Sequence, residues 1–236
     1  MTVALASRDV CGIVRELCGH DKALLSFSCG KDSWAAWLSA RDHFDFTPYY
    51  LYLVPGLEFV DEYLHYAERK LGKRIVRLPH PAFYRWINTL MFQAPERIKI
   101  IEAVGWPKFE YDDMREAVIE DCRLPENCWV ADGVRAADSP MRRASLLKSQ
   151  GVSAKKRYFH PCWDWNKQRL VDELNATDIK LPIDYELFGR SFDGLDLRFL
   201  IKIKAHLPRD YATILEWFPL VDMELARYEF CQRKKS

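Results

Sequence analysis

Apolar residues follow two rhythms along this chain: short solid runs, and stripes spaced by three and four. Val10, Ile13, Val14 and Leu17 fall on one face of a helix over about Arg8 to Cys18. The run Ala23-Leu-Leu-Ser-Phe27 predicts a buried strand that ends in a loop holding Gly30. A helix is expected from about Asp32 to Phe44, with Trp34, Trp37, Leu38 and Arg41 on one side. Tyr49-Tyr-Leu-Tyr-Leu-Val54 predicts a second strand closed by Pro55-Gly56. Val60, Leu64, Ala67 and Leu71 have helical spacing, and Gly72 supplies the stop. Arg74 to Leu78 reads as a third strand, closed by Pro79.

Residues 82–123 read as mostly helical, with an interruption at Gly105-Trp106-Pro107. Asn127 to Ala131 predicts a fourth strand, followed by the loop at Asp132-Gly133 and a helix from about Pro140. Arg157 to His160 is a short fifth strand, and Asn166 caps a helix running to Leu174. This alternation predicts an α/β fold over residues 1–180: a doubly wound, mostly parallel, five-stranded Rossmann-like sheet. Over residues 181–236 the character changes to helical stripes: Leu197, Leu200 and Ile201; Tyr211, Ile214, Leu215 and Phe218; Val221, Leu225 and Tyr228. Pro208 and Pro219 separate them, which predicts a C-terminal helical appendage. Parallel sheets of this kind bind ligands at the carboxyl ends of their strands.

Composition narrows the choices. Of 236 residues, 49% are hydrophobic and 29% charged, within the range of globular proteins. The net charge of +1 gives no global field to recruit nucleic acid or an anionic membrane. The local basic clusters Arg142-Arg143, Lys155-Lys156-Arg157 and Arg233-Lys234-Lys235 leave a nucleic-acid or protein partner open, as does a homodimer. The opening residues lack the pattern of a signal peptide, and no apolar stretch is long enough to cross a bilayer. Seven cysteines without a CxxC speak against a disulfide framework, a zinc site and an iron–sulfur cluster. The expectation is a cytoplasmic protein with reduced thiols.

The segment Ser26-Phe-Ser28-Cys29-Gly30-Lys31-Asp32-Ser33 carries the chemistry. A strand delivers the chain to a helix start, whose N–H groups and dipole favour an anion. Gly30 permits close approach and unusual backbone angles, Lys31 adds a cation, and Ser28 and Ser33 add hydroxyls. The segment is not a Walker A loop. It resembles the SGGxDS loop of the PP-loop ATP pyrophosphatase superfamily, with Cys29 in place of the first Gly of that pattern. After the fourth strand, Gly133-Val-Arg135-Ala-Ala-Asp138-Ser139-Pro-Met-Arg142 resembles the GxRxxESxxR segment of the phosphoadenosine phosphosulfate (PAPS) reductase branch, with Asp138 for Glu. Gly56-Leu-Glu58-Phe59 and His160-Pro-Cys-Trp-Asp164-Trp165 are similar to two further segments of that family, in the same order.

The resemblance implies an adenine nucleotide alpha hydrolase-like fold and an adenine nucleotide, ATP or PAPS, as ligand. Its site residues would be Ser26, Ser28, Cys29, Gly30, Lys31, Asp32, Ser33, Gly56, Glu58, Gly133, Arg135, Ser139 and Arg142. Lys31, Asp32, Arg135 and Arg142 would take part in the chemistry. Mg²⁺ would ride on the phosphates, with Asp32 as the protein group nearest to hand. The reductases' cysteine-bearing ECGLH-like tail is missing, so the favoured expectation is cleavage of ATP to AMP and pyrophosphate to adenylate an unidentified acceptor. A PAPS or APS reductase using another thiol, with Cys231 as candidate, is the second reading. A nucleotide-binding regulatory subunit without catalysis is the third.

Overall fold

The computed structural model describes residues 7–233; Lys234 and Lys235 of the last basic cluster lie outside them. Helix α1 (Ser7–Cys18) leads into β1 (Lys22–Ser26), α2 (Lys31–Ala40), β2 (Asp45–Tyr52), α3 (Glu58–Leu71) and β3 (Val76–Pro79). Three helices follow, α4 (Pro81–Asn88), α5 (Pro95–Val104) and α6 (Tyr111–Asp121), and then β4 (Trp129–Ala131). The chain continues through α7 (Pro140–Ser149), β5 (Val152–Ser153), β6 (Tyr158–Phe159) and α8 (Lys167–Asn175). It ends in α9 (Asp184–Phe188), α10 (Leu197–His206), α11 (Pro208–Trp217) and α12 (Val221–Arg233).

The sheet has six strands in the order β3-β2-β1-β4-β6-β5. Strand β1 pairs in parallel with both β2 and β4, and β4 in parallel with β6. This is the expected doubly wound, mostly parallel α/β sheet, with one strand more than the sequence suggests. The addition is β5, an antiparallel edge strand whose Val152 stands opposite Phe159. A two-residue strand is too short to leave a periodic signal. Strand β2 begins at Asp45, ahead of the expected Tyr49, because Pro48 stands opposite Leu25 in mid-strand, where proline argues against a strand. The expected helical stretch after residue 82 breaks once more, at Leu90 and Phe92, whose φ values are 59° and 54°. Left-handed turns on apolar residues carry no sequence mark.

The described residues group into two compact units. The first comprises residues 7–50, 67–77 and 115–181, and the second residues 51–66, 78–114 and 182–233. In the first unit, Leu24, Leu25 and Phe27 are buried, and Phe27 meets Trp34 of α2 edge to face at 4.9 Å. Ala35 and Ala36 are fully buried and keep the inner face of α2 thin. Burying each of the large side chains contributes about 1.5–3 kcal/mol. In the second unit Phe199, Leu200 and Ile203 of α10 join Tyr211, Ile214, Phe218, Val221 and Leu225 in one cluster with Phe83 and Ile87 of α4. Ile201, expected on the inner stripe of α10, is exposed, and Phe199 and Ile203 carry that face instead. Among the described residues no helix is long and apolar enough to cross a membrane.

Candidate functional site

The chain runs from β1 outward to β2 and β3, and returns to place β4 on the other side of β1. The carboxyl ends of β1 and β4 therefore flank a topological switch point, where α/β sheets open a crevice. Two of the sequence-predicted segments follow those two strands.

The first is the loop from β1 to α2. Phe27 is buried and anchors it, while Ser28 is exposed. The left-handed turn falls on Cys29 at φ 63°, whereas Gly30 has φ −79° and occupies the N-cap position of α2. The expectation that Gly30 supplies the unusual angles is thus corrected: the strained residue is the cysteine, standing where the resembled pattern has glycine. A non-glycine residue there costs about 1–2 kcal/mol. No side chain caps α2. The buried Ser33 hydroxyl donates to the Gly30 carbonyl at 2.8 Å, so it is engaged within the loop. Lys31 Nζ pairs with Asp32 Oδ2 at 2.9 Å. Ser26 hydrogen-bonds the buried Tyr49, whose phenol is pushed up by burial and by the neighbouring Tyr158.

The second segment, after β4, lies directly against the first. A Cβ on Gly133 would sit 2.2 Å from the Asp32 carbonyl oxygen and 2.3 Å from its carbon, so only glycine fits. Arg135 is buried, at 6% exposure, and its guanidinium spans both loops. Nε donates to Asp32 Oδ1 at 3.0 Å, and Nη2 to the same oxygen at 2.9 Å. Nη2 also reaches Asp138 Oδ1 at 3.0 Å. Nη1 donates to the Trp165 carbonyl at 3.4 Å. Asp138 Oδ2 accepts the Arg135 backbone N–H and Arg142 Nη1, both at 3.0 Å. Ser139 caps α7 by accepting the Arg142 N–H at 3.2 Å. Of the two arginines expected to face an anion, Arg135 is turned inward onto carboxylates and Arg142 is exposed.

The third segment follows β6. His160 Nδ1–H donates to Asp132 Oδ1 at 2.5 Å, and the same oxygen accepts the Val134 N–H at 2.9 Å. Asp132 and His160 were not among the expected site residues; the HPxxDW-like segment was the available signal for the histidine. Gly56 and Glu58 belong to the second unit. There Gly56 turns with φ 78°, and the Glu58 backbone N–H donates to Asp210 at 2.5 Å. Cys231 is exposed on α12, a helix that continues through it to Arg233.

Among the described residues no three His, Cys, Asp or Glu side chains gather closely enough to hold a metal ion between them. Both Asp32 oxygens are engaged by cations, Oδ1 by Arg135 and Oδ2 by Lys31. That donor set fits a magnesium ion carried mainly by phosphate oxygens, with one carboxylate at most.

No protein-family model matches the chain, and no curated protein sequence matches it. Among solved structures the chain is similar to the NH3-dependent NAD synthetase from Campylobacter jejuni subsp. jejuni NCTC 11168 in complex with the nitrate ion. Identity is 12% and the TM-score 0.45, over 95% of this chain and 93% of that one.

Proposed function

We propose that the chain is an adenine-nucleotide enzyme of the PP-loop type, which cleaves ATP between the α and β phosphates and transfers the adenylate to an acceptor. The observation that carries this reading is the joint between the two strand-end loops, with Gly133 against the Asp32 backbone and Arg135 bonded across to the Asp32 carboxylate. Two segments 103 residues apart in sequence meet there beside the switch point, which supports a phosphate-bearing ligand at that place.

In this reading Ser28, Gly30 and the first turn of α2 hold the leaving pyrophosphate, and Lys31 moves from Asp32 to a phosphate oxygen. Magnesium bound to the phosphates would offset charge on the leaving group. Arg142, exposed and paired with Asp138, offsets charge at the α-phosphate, while Arg135 positions Asp32. The acceptor's nucleophile forms a bond to the α-phosphorus as the bond to the bridging oxygen breaks and pyrophosphate departs. The nucleotide chemistry then belongs to the first unit, while the C-terminal helices share the second with residues 51–66 and 78–114 rather than forming an appendage of 181–236 alone.

The test is to incubate the protein with ATP and Mg²⁺, and separately with PAPS, in the presence of a metabolite extract, and to identify the nucleotide products. AMP and pyrophosphate from ATP are expected. ADP as the main product, or release of sulfite from PAPS, overturns the reading.

A further inference from the structure

The second unit contains a pocket of about 420 Å³ that the nucleotide chemistry does not use. Residues along the whole of α4, from the loop Lys108-Phe109-Glu110 and from the first residue of α6 line it. Its aromatic wall is Tyr84 and Phe109, whose rings lie 4.5 Å apart at 48°, backed by Trp106 at 5.5 Å from Tyr84. Tyr111 stands at the mouth, 53% exposed, with its ring edge-on to His80.

Hydrogen bonds fix which way the polar rim faces. His80 Nδ1 accepts the Ala82 N–H at 2.9 Å as the cap of α4, so the proton of the neutral ring sits on Nε2. That Nε2–H donates to Tyr111 Oη at 3.1 Å. The phenol has thereby spent an acceptor position and keeps its own O–H to donate to a ligand. Burial and the nearby Arg85 push the His80 pKa down, which keeps the ring neutral and the chain of bonds in this direction. Two cations, Arg85 and Lys108, line the same pocket, and among the described residues no carboxylate pairs with either. With Glu110 as the single carboxylate of the lining, the pocket carries a net charge of about +1.

We propose that this pocket binds a planar aromatic ring carrying an anionic group, the ring against Tyr84 and Phe109 and the anion between Arg85 and Lys108. Aromatic faces favour a flat ring through offset or edge-on packing. The guanidinium and the ammonium group, both exposed at the rim and without a carboxylate partner among the described residues, offer charge-assisted donors to a carboxylate or phosphate. The volume matches one ring system with a substituent, near the lower end of the usual ligand-pocket range. Tyr111 adds a directed donor to the anion or to a ring substituent. The chemistry is common to an aromatic carboxylate and to a mononucleotide, and the proposal does not depend on the ATP reading.

The experiment is calorimetry on the whole protein with three probes: 4-hydroxybenzoate, its neutral amide 4-hydroxybenzamide, and AMP. At least one of the two anions is expected to bind, and the amide about tenfold or more weaker. Arg85→Ala and Lys108→Ala should each weaken the anion by about tenfold, and Phe109→Ala likewise, with thermal stability of the two surface-cation variants unchanged. Lys31→Ala should leave this binding as it is, which separates the pocket from the loop after β1. Preference for 4-hydroxybenzoate identifies a carboxylate as the natural anion, and preference for AMP a mononucleotide. Equal affinity for the amide, absence of heat with either anion at millimolar concentration, or binding abolished by Lys31→Ala and indifferent to Arg85→Ala each overturns the proposal.

Discussion

Helices α2 and α7 both begin just beyond a strand that borders the switch point, yet their first turns are completed differently. At α7 the Ser139 hydroxyl accepts the Arg142 N–H, and Pro140 at the first position removes a donor that would otherwise need a partner. Strand β6 is likewise followed by α8, whose start is closed by the Asn166 side chain accepting the Arg169 N–H at 2.8 Å. At α2 the cap residue is Gly30, with no side chain to offer. The carboxylate of the first turn, Asp32, is turned across to Arg135 and Lys31 instead of lying over the helix end. A side-chain cap satisfies one of the free donors at a helix start, whereas a helix without one leaves that donor and its positive end open to an external anion. The contrast supports the proposed placement of the leaving pyrophosphate at α2 and gives the Ser139 hydroxyl a structural part at the start of α7.

Gly133→Ala breaks this arrangement most severely, because the added carbon would sit 2.2 Å from backbone that cannot rotate away. The expected cost is roughly 3 kcal/mol. Calorimetry should show a fall in melting temperature on the order of 6–12 °C, given about 2–4 °C per kcal/mol at this size. Nucleotide binding should fall with it, since the two loops must separate. A variant as stable as the parent would mean that the loops are not in contact. Next comes Arg135→Ala, which leaves the Asp32 and Asp138 carboxylates without their shared partner. Loss of roughly 2–3 kcal/mol is expected in denaturant titration, reduced from the value for a fully buried pair because Asp32 is one-third exposed. Arg135→Lys should recover little of it, since an ammonium cannot donate along the same fork.

How far these features could be read beforehand depends on their range in sequence. Solid runs such as Leu24-Leu25 and stripes such as Val10 and Val14 announce β1 and α1, since each element's own residues carry the pattern. The early part of β2 hides behind Pro48, and β5 is too short to have a period at all. Within the site, residue types and order were legible, and so was the oddity of Cys29. Its meaning was not: the left-handed backbone at φ 63° explains why the resembled pattern has glycine there. Nor does any local feature reveal that Arg135 bonds a carboxylate 103 residues earlier, or that Gly133 abuts the same residue's backbone. A sequence shows that an arginine can bind an anion, and only the fold decides which one.

Lys31→Ala tests the open end directly. Its ion pair with Asp32 is partly exposed, so stability should change by no more than about 0.5 kcal/mol. If Lys31 meets phosphate, ATP affinity should drop by about 1.5–3 kcal/mol, roughly 10- to 150-fold, in isothermal titration. An unchanged dissociation constant would remove the loop after β1 from the nucleotide site.

The smallest effect is expected at the closed end, and it decides whether the contrast between the two helices is real. Ser139→Ala deletes the hydroxyl that accepts the Arg142 N–H and leaves the backbone of α7 otherwise intact. Loss of such a cap costs about 1 kcal/mol, which corresponds to a fall of about 2–4 °C in melting temperature. Because that hydroxyl is committed to the helix, ATP affinity should stay within a factor of about two while stability falls. The variant Ser139→Asp sharpens the same point: a carboxylate caps at least as well and adds a negative charge at the positive helix end, so stability should return. If nucleotide phosphate instead sits at α7, the alanine variant loses affinity out of proportion to stability, and the aspartate variant repels the ligand outright. That pattern, read by titration beside thermal denaturation, would move the anion from α2 to α7.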